Sequence, residues 1–127
     1  MLSESRNAEF YPEWLEYITE DGAKAAFVYL AGYASTLRKM NCHARFKGEI
    51  RDFQFHDASG ETPFSFTINR RWLLFYFRLP SLRSGKYSRD VLEQLLPHMR
   101  ETAAGEWTIR ISNVDDAKRL TMFLVLT

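Results

Sequence analysis

Only a few residues in this chain have the side chains that metal binding or nucleophilic catalysis requires. Cys42 and His43 are adjacent, and His56-Asp57 follows thirteen residues after His43. Structural zinc usually takes four ligands at spacings such as C-x₂₋₄-C or H-x₃₋₅-H, and this sequence contains neither spacing. No local catalytic signature surrounds Cys42, so we interpret it as a partly buried, unreactive thiol just past the second predicted helix. We predict no catalytic, cofactor-binding or metal-binding residues.

Acidic residues near the first predicted strand suggest a second kind of chemistry. Metal-dependent nucleases gather carboxylates around Mg²⁺, and Glu49, Asp52 and Asp57 are the acids that precede a long basic segment. Glu49 and Asp52 are three positions apart, so on a regular strand they point to opposite faces. Such residues more often form a solvated strand face. A metal-dependent nuclease therefore ranks third among the functions considered.

The distribution of charge is more informative than its sum. The formal net charge is +1, yet residues 62–89 contain six basic side chains and no Asp or Glu. Residues 1–22 hold six acidic side chains against one arginine. The basic segment supplies the candidate residues for binding a polyanion or a partner, namely Arg70, Arg71, Arg78, Arg83, Lys86 and Arg89.

Two interpretations of this basic segment remain open. Arginine suits bidentate contact with phosphate, and exposed aromatic rings among arginines can stack on bases. Alternatively, the arginines decorate turns and pair with the acidic N-terminal helix. For the aromatic residues of Trp72–Leu79 we favour a buried central strand, because it is apolar at nearly every position. The sequence leaves open whether Trp72–Phe77 is core or interface.

The leading functional hypothesis is a small cytoplasmic binding module that contacts nucleic acid, or acts beside nucleic-acid-processing enzymes, through residues 62–89. Within that segment, PFSFTINRRWLLFYFRLP (63–80) looks loosely like small α+β accessory domains of bacterial DNA-processing and defence systems. No functional residue is carried over from this likeness. The alternative is a protein-binding inhibitor or immunity-type protein that neutralises a partner enzyme or toxin.

Helices and strands that position these residues are visible as periodic patterns. In the first half of the chain, Pro12-Glu13 predicts the start of a short helix that ends near Asp21-Gly22. A second helix is predicted over Gly22–Met40. A strand is predicted over Arg45–Phe55, with a bulge near Arg51-Asp52 because the alternation of apolar residues changes phase there.

The second half of the chain alternates between strand and helix patterns. It predicts a strand over Phe64–Ile68, a central strand over Trp72–Leu79 and a loop over Pro80–Tyr87. Ser88 and Asn113 are predicted helix N-caps, and a strand begins at Trp107 between those helices. The resulting order is α-α-β-β-β-α-β-α, a single α+β domain over 1–127 with a mainly antiparallel sheet packed against helices.

Composition agrees with this class. The 127 residues are 46% hydrophobic and 26% charged, which excludes a disordered chain. The single cysteine excludes a disulfide scaffold and favours a reducing compartment. The absence of a secretory pattern in the first thirty residues, and of any apolar run near ~20 residues, predicts a cytoplasmic protein without a membrane span.

Overall fold

The computed structural model describes residues 2–124 of the chain, with side chains from Asn7 onward. Within these residues the helices are α1 (Leu2–Tyr17), α2 (Asp21–Ser35), α3 (Leu79–Arg83), α4 (Arg89–Leu95) and α5 (Val114–Phe123). The strands are β1 (Asn41–Lys47), β2 (Ile50–His56), β3 (Phe64–Ile68), β4 (Leu73–Phe77), β5 (Arg100–Glu101) and β6 (Trp107–Ile111). They form one antiparallel sheet in the order β1-β2-β3-β4-β6-β5. The predicted α+β single domain with an antiparallel sheet is confirmed.

One face of the sheet carries the hydrophobic core. Alternate residues of β2, β3 and β4 place phenylalanines on this face, and the register sets Phe53 beside Phe66 and Phe66 beside Phe75. The ring centroids of these neighbours are 4.8 Å and 6.4 Å apart. Offset aromatic pairs add about 0.5–1.5 kcal/mol beyond the burial of their area. Helices α1, α2 and α5 pack on this side, where Trp14, Phe27 and Leu120 are almost completely buried.

The predicted bulged strand over Arg45–Phe55 is wrong, because β1 and β2 form a hairpin there. Gly48 and Glu49 connect the two strands, and Gly48 has a φ of +62°. A positive φ at the first of two loop residues is what a type II′ hairpin turn requires, and glycine adopts it without strain. The reversal accounts for the change of phase, since Phe46 pairs with Arg51 and so lies on the same face as Phe53.

The boundaries of the two N-terminal helices also differ from the prediction. Helix α1 contains Pro12 in its interior instead of beginning there. Proline removes the donor to the carbonyl four residues earlier, and Pro12 and Ala8 are both exposed, so water can reach that carbonyl. Helix α2 ends at Ser35 rather than Met40, and the hydroxyls of Ser35 and Thr36 donate to the Gly32 and Tyr33 carbonyls of its last turn.

The second half of the chain follows the predicted pattern with two additions. The caps are confirmed: the Ser88 hydroxyl accepts from the Val91 N–H, and the Asn113 side chain accepts from the Asp116 N–H. The predicted loop over Pro80–Tyr87 contains most of the short helix α3, whose first turn includes Pro80. The two-residue strand β5 was not predicted, and it pairs with the first residues of β6.

Candidate functional site: the open face of the sheet

The second face of the sheet is mainly polar and partly exposed to solvent, and we call it the open face. Alternation of side chains along each strand defines its members. From β1 to β6 they are Asn41, His43, Arg45, Lys47, Ile50, Asp52, Gln54, His56, Ser65, Thr67, Leu74, Tyr76, Arg100, Thr108 and Arg110. Asn69, Trp72, Arg78 and Glu106 continue the same alternation beyond the strand ends. Leu74 and Tyr76 are only half-buried, so the prediction of a buried central strand over Trp72–Leu79 is correct for one face of the strand and wrong for the other.

Trp72–Phe77 is therefore divided between the two faces. Leu73, Phe75 and Phe77 are completely buried in the core. Trp72 and Tyr76 lie on the open face and are half-buried. Burial raises the pKa of the Tyr76 hydroxyl above its ordinary value of 10.0, although Arg78 acts in the opposite direction. This hydroxyl stays protonated at neutral pH and remains a hydrogen-bond donor.

The open face carries an excess of positive charge. Arg45 is 3.2 Å from the Asp52 carboxylate, and Arg78 is 2.6 Å from that of Glu106. These two ion pairs engage both acids of the face. Lys47, Arg100 and Arg110 are exposed, and within the described residues they form no ion pair. The face is thus left with three cations that are free to meet an anionic ligand.

An open groove crosses the β4–β6 side of this face. It has a volume of about 360 Å³ and is lined by Asn69, Trp72, Leu74, His98, Arg100, Thr108 and Arg110. The guanidinium carbon of Arg110 lies 3.9 Å from the centroid of a Trp72 ring. Arg110 pairs with Leu74, and Trp72 is the open-face residue two positions before Leu74. Arg110 and Trp72 are therefore diagonal neighbours on adjacent strands, which explains the contact. The groove therefore combines a cation–aromatic stack with an additional arginine.

Two histidines meet at the other end of the open face, near the edge strand β1. The rings of His43 and His56 are edge to face, with centroids 5.0 Å apart. His56 Nε2 is 2.9 Å from the Gln54 side-chain oxygen. Burial lowers the pKa of His56 below its ordinary value of 6.5, and His43 and Arg45 add to that effect. His56 is therefore mainly neutral at physiological pH.

The six residues predicted from charge alone do not form one cluster. Arg70 and Arg71 lie in the β3–β4 turn, whereas Arg78, Arg83, Lys86 and Arg89 follow the opposite end of β4. Arg71 is exposed and directly precedes Trp72 in the sequence. Arg70 lies over the Tyr17 ring, with its guanidinium carbon 4.5 Å from the centroid.

Three of the predicted arginines are paired with acids from other parts of the chain, outside the acid-free segment. Arg78 binds Glu106, and Arg83 Nη2 is 2.8 Å from a Glu61 oxygen. Arg89 pairs with Glu101. One interpretation paired these arginines with the acidic N-terminal helix. That helix instead binds Arg51, through a 3.0 Å ion pair with Glu13. Exposed Lys86 lies in the turn between α3 and α4.

The residues considered for metal or nucleophilic chemistry lie apart. Cys42 is buried within β1 rather than just past α2, and burial raises the pKa of its thiol to about 12. Glu49 lies in the β1–β2 turn and Asp52 pairs with Arg45. Asp57 accepts bonds from the N–H groups of Ser59 and Glu61 in its own turn. Across residues 7–124, no three His, Cys, Asp or Glu side chains are close enough to hold a metal ion.

The sequence prediction missed Arg100 and Arg110 because both lie outside the acid-free segment. A signal for Arg110 was present: it alternates with Ile109 and Ile111, which places it on the solvated face of a half-buried strand. Nothing comparable marked Arg100, which belongs to a strand of only two residues.

None of the helices described over residues 2–124 combines the length and the apolar character needed to cross a bilayer. Comparison of the chain with protein-family models, curated protein sequences and solved structures gives no match.

Proposed function

We propose that this protein is a nucleic-acid-binding module whose open face contacts the phosphate backbone. The observation that supports the proposal most strongly is the charge balance of that face. Asp52 and Glu106 are already paired with arginines, while Lys47, Arg100 and Arg110 have no acidic partner among the described residues. Arginine and lysine contacts with phosphate supply most of the affinity for nucleic acid.

The position of the helices favours the same surface. Helices α1, α2 and α5 cover the core side of the sheet, and the open face presents side chains from neighbouring strands in one plane. Polar residues such as Gln54, Thr67 and Thr108 lie between the charged ones and supply uncharged hydrogen-bonding groups. The buried Cys42 thiol suits a reducing compartment, and we place the module in the cytoplasm.

Fluorescence anisotropy with a labelled generic oligonucleotide tests this proposal. Binding is expected to weaken steeply as salt rises, because each neutralised phosphate releases counterions. The double substitution Arg100→Glu/Arg110→Glu should abolish most of the binding. Lys118→Glu/Arg119→Glu is the matched control, since it makes the same change in net charge at two exposed residues of α5, a helix packed on the core side. Equal losses in the two variants, or no binding by the wild type at low salt, would overturn the proposal.

A protein-binding inhibitor remains the second candidate, supported by two exposed apolar side chains at the end of the β1–β2 hairpin. Phe46 and Ile50 flank the β1–β2 turn with 43% and 52% of their surfaces exposed. Exposed aromatic and aliphatic residues on one hairpin are typical anchors for a protein partner. This candidate predicts a stoichiometric complex with the product of a neighbouring reading frame. Phe46→Ser, at a residue on the core side of the hairpin, should weaken that complex and leave oligonucleotide binding intact.

A further inference from the structure

The groove on the β4–β6 side of the open face has a more specific composition than the rest of the positive surface. Trp72 is the tryptophan on this face, whereas Trp14 is completely buried and Trp107 packs against Phe77 on the core side. Arg110 covers the Trp72 ring at 3.9 Å and is itself exposed. Both the indole and the guanidinium are planar groups on which a nucleobase can stack.

The cations beside this stack are placed to meet phosphate. Arg100 pairs across the sheet with Thr108, so Arg110 is its diagonal neighbour on β6. Diagonal neighbours on one face of a sheet are about 7–8 Å apart. Neither arginine forms an ion pair within the described residues, and both line the groove. A base on the Trp72–Arg110 stack would thus have the guanidinium of Arg100, which forms no ion pair within the described residues, next to its backbone.

The lining of the groove includes polar side chains that can bond the edge of a base. Asn69 contributes a side-chain amide, Thr108 a hydroxyl and His98 a ring nitrogen. The groove volume of about 360 Å³ lies near the lower end of the ~300–1,000 Å³ typical of small-ligand sites. A site of this size suits one nucleotide of a flexible strand.

From these contacts we infer that the groove holds an unpaired base and that the protein selects single-stranded over double-stranded nucleic acid. In a duplex the bases are stacked on one another, and an aromatic platform on a sheet reaches them only when they are unpaired. Helices α1, α2 and α5 pack on the core side of the sheet, away from the groove, so none of these three is presented there for insertion into a major groove. A duplex can contact this face only through its phosphates, and those contacts do not use the Trp72 ring.

This inference rests on the proposed function, and the experiment separates the two. The affinities of a single-stranded oligonucleotide and of a blunt duplex of the same length are measured at one salt concentration. The expected result is at least tenfold tighter binding of the single strand. Trp72→Ala should weaken single-strand binding about tenfold or more and leave duplex binding unchanged. Trp72→Phe, which keeps a ring, should retain most of the affinity.

A measurement on the wild-type protein avoids dependence on the folding of the variants. Stacking of a base on Trp72 should quench tryptophan fluorescence as a short single-stranded oligonucleotide is added, and the duplex should not quench it. Equal affinity for the two nucleic acids, together with an unaffected Trp72→Ala variant and no quenching, would overturn the inference and leave phosphate binding by the open face in place. A preference for the duplex would also overturn it. No binding of either nucleic acid would overturn the proposed function itself, and the inference with it.

Discussion

The side-chain amide of Asn7 in α1 donates a 2.8 Å hydrogen bond to the backbone carbonyl of Cys42 in the edge strand β1. Its oxygen accepts a 2.7 Å bond from the Ala44 N–H. One side chain thereby occupies a donor and an acceptor that a further strand would otherwise use. Unpaired edge groups promote pairing with other chains, so Asn7 protects this edge as well as fixing α1 on the sheet.

Asn7→Ala should therefore lower the free energy of unfolding by about 1–3 kcal/mol, because it leaves two backbone groups of β1 without partners. Asn7→Asp should also destabilise, since a carboxylate cannot donate to the Cys42 carbonyl. Urea denaturation followed by circular dichroism measures both effects. Asn41→Ala, at an exposed position of the same strand, should change stability by less than about 0.5 kcal/mol. Similar values for the Asn7 and Asn41 variants would show that the edge contact contributes nothing.

Two glycines of α2 provide a matched pair of substitutions. A Cβ added at Gly22 would lie 2.6 Å from the Ser112 carbonyl oxygen, whereas one added at Gly32 meets nothing within 4 Å. Gly22→Ala should cost about 1–3 kcal/mol, because the helix must move away from the β6–α5 connection. Gly32→Ala should stabilise by about 0.5–1 kcal/mol through the higher helix propensity of alanine. Thermal melts of both variants test this difference, and a stabilising Gly22→Ala would contradict the close approach of α2.

Stability should fall as the pH falls through the titration range of His56. The pKa of His56 in the folded protein is lowered by burial and by His43 and Arg45, with Asp52 and Asp57 opposing. The unfolded chain consequently binds more protons between the folded pKa and 6.5. Protonation thus favours unfolding in this window. Denaturation midpoints measured from about pH 7 to pH 5 should decline less in His56→Gln than in the wild type. The same decline in His56→Gln as in the wild type would assign the effect to other groups. His98→Gln, at an exposed histidine, serves as the control.

The Cys42 thiol should be almost inert in the folded protein. Burial raises its pKa to about 12, so the reactive thiolate is scarce at pH values where an exposed cysteine ionises. Alkylation by iodoacetamide near pH 8 should be about a hundredfold or more slower in the native state than in urea. Mass spectrometry at timed intervals measures the two rates. Equal rates would mean that β1 opens readily and that Asn7 does not hold it.

The helix caps and the alternating strands of this fold were predictable from sequence. Which strands pair, and which side chains share a face of the sheet, were not. Ser88 and Asn113 precede amphipathic segments, and alternation identified β3 and β6, because caps and periodicity depend on neighbouring residues. The β1–β2 hairpin escaped prediction because Gly48-Glu49 is a weak turn signal within a charged stretch. A change of phase was visible there, but a bulge and a tight turn both produce one.

The candidate site depended on strand order, which local patterns do not specify. Trp72 and Arg110 are far apart in sequence, and they meet because β6 lies beside β4 while β5 forms the edge. Charge counting found the acid-free segment but could not show that Arg83 binds Glu61 or that Arg78 binds Glu106. It also weighted Arg89 equally with Arg71, although Arg89 is paired with Glu101.

The central claim is that nucleic acid binds the open face, and backbone amide NMR tests it most directly. A single-stranded oligonucleotide is titrated into isotopically labelled protein at low salt. We predict the largest chemical-shift changes at Thr67, Leu74, Thr108 and Arg110, with little change in α1 and α5. Changes confined to the helices or to residues 83–89, or no change at saturating oligonucleotide, would contradict the claim.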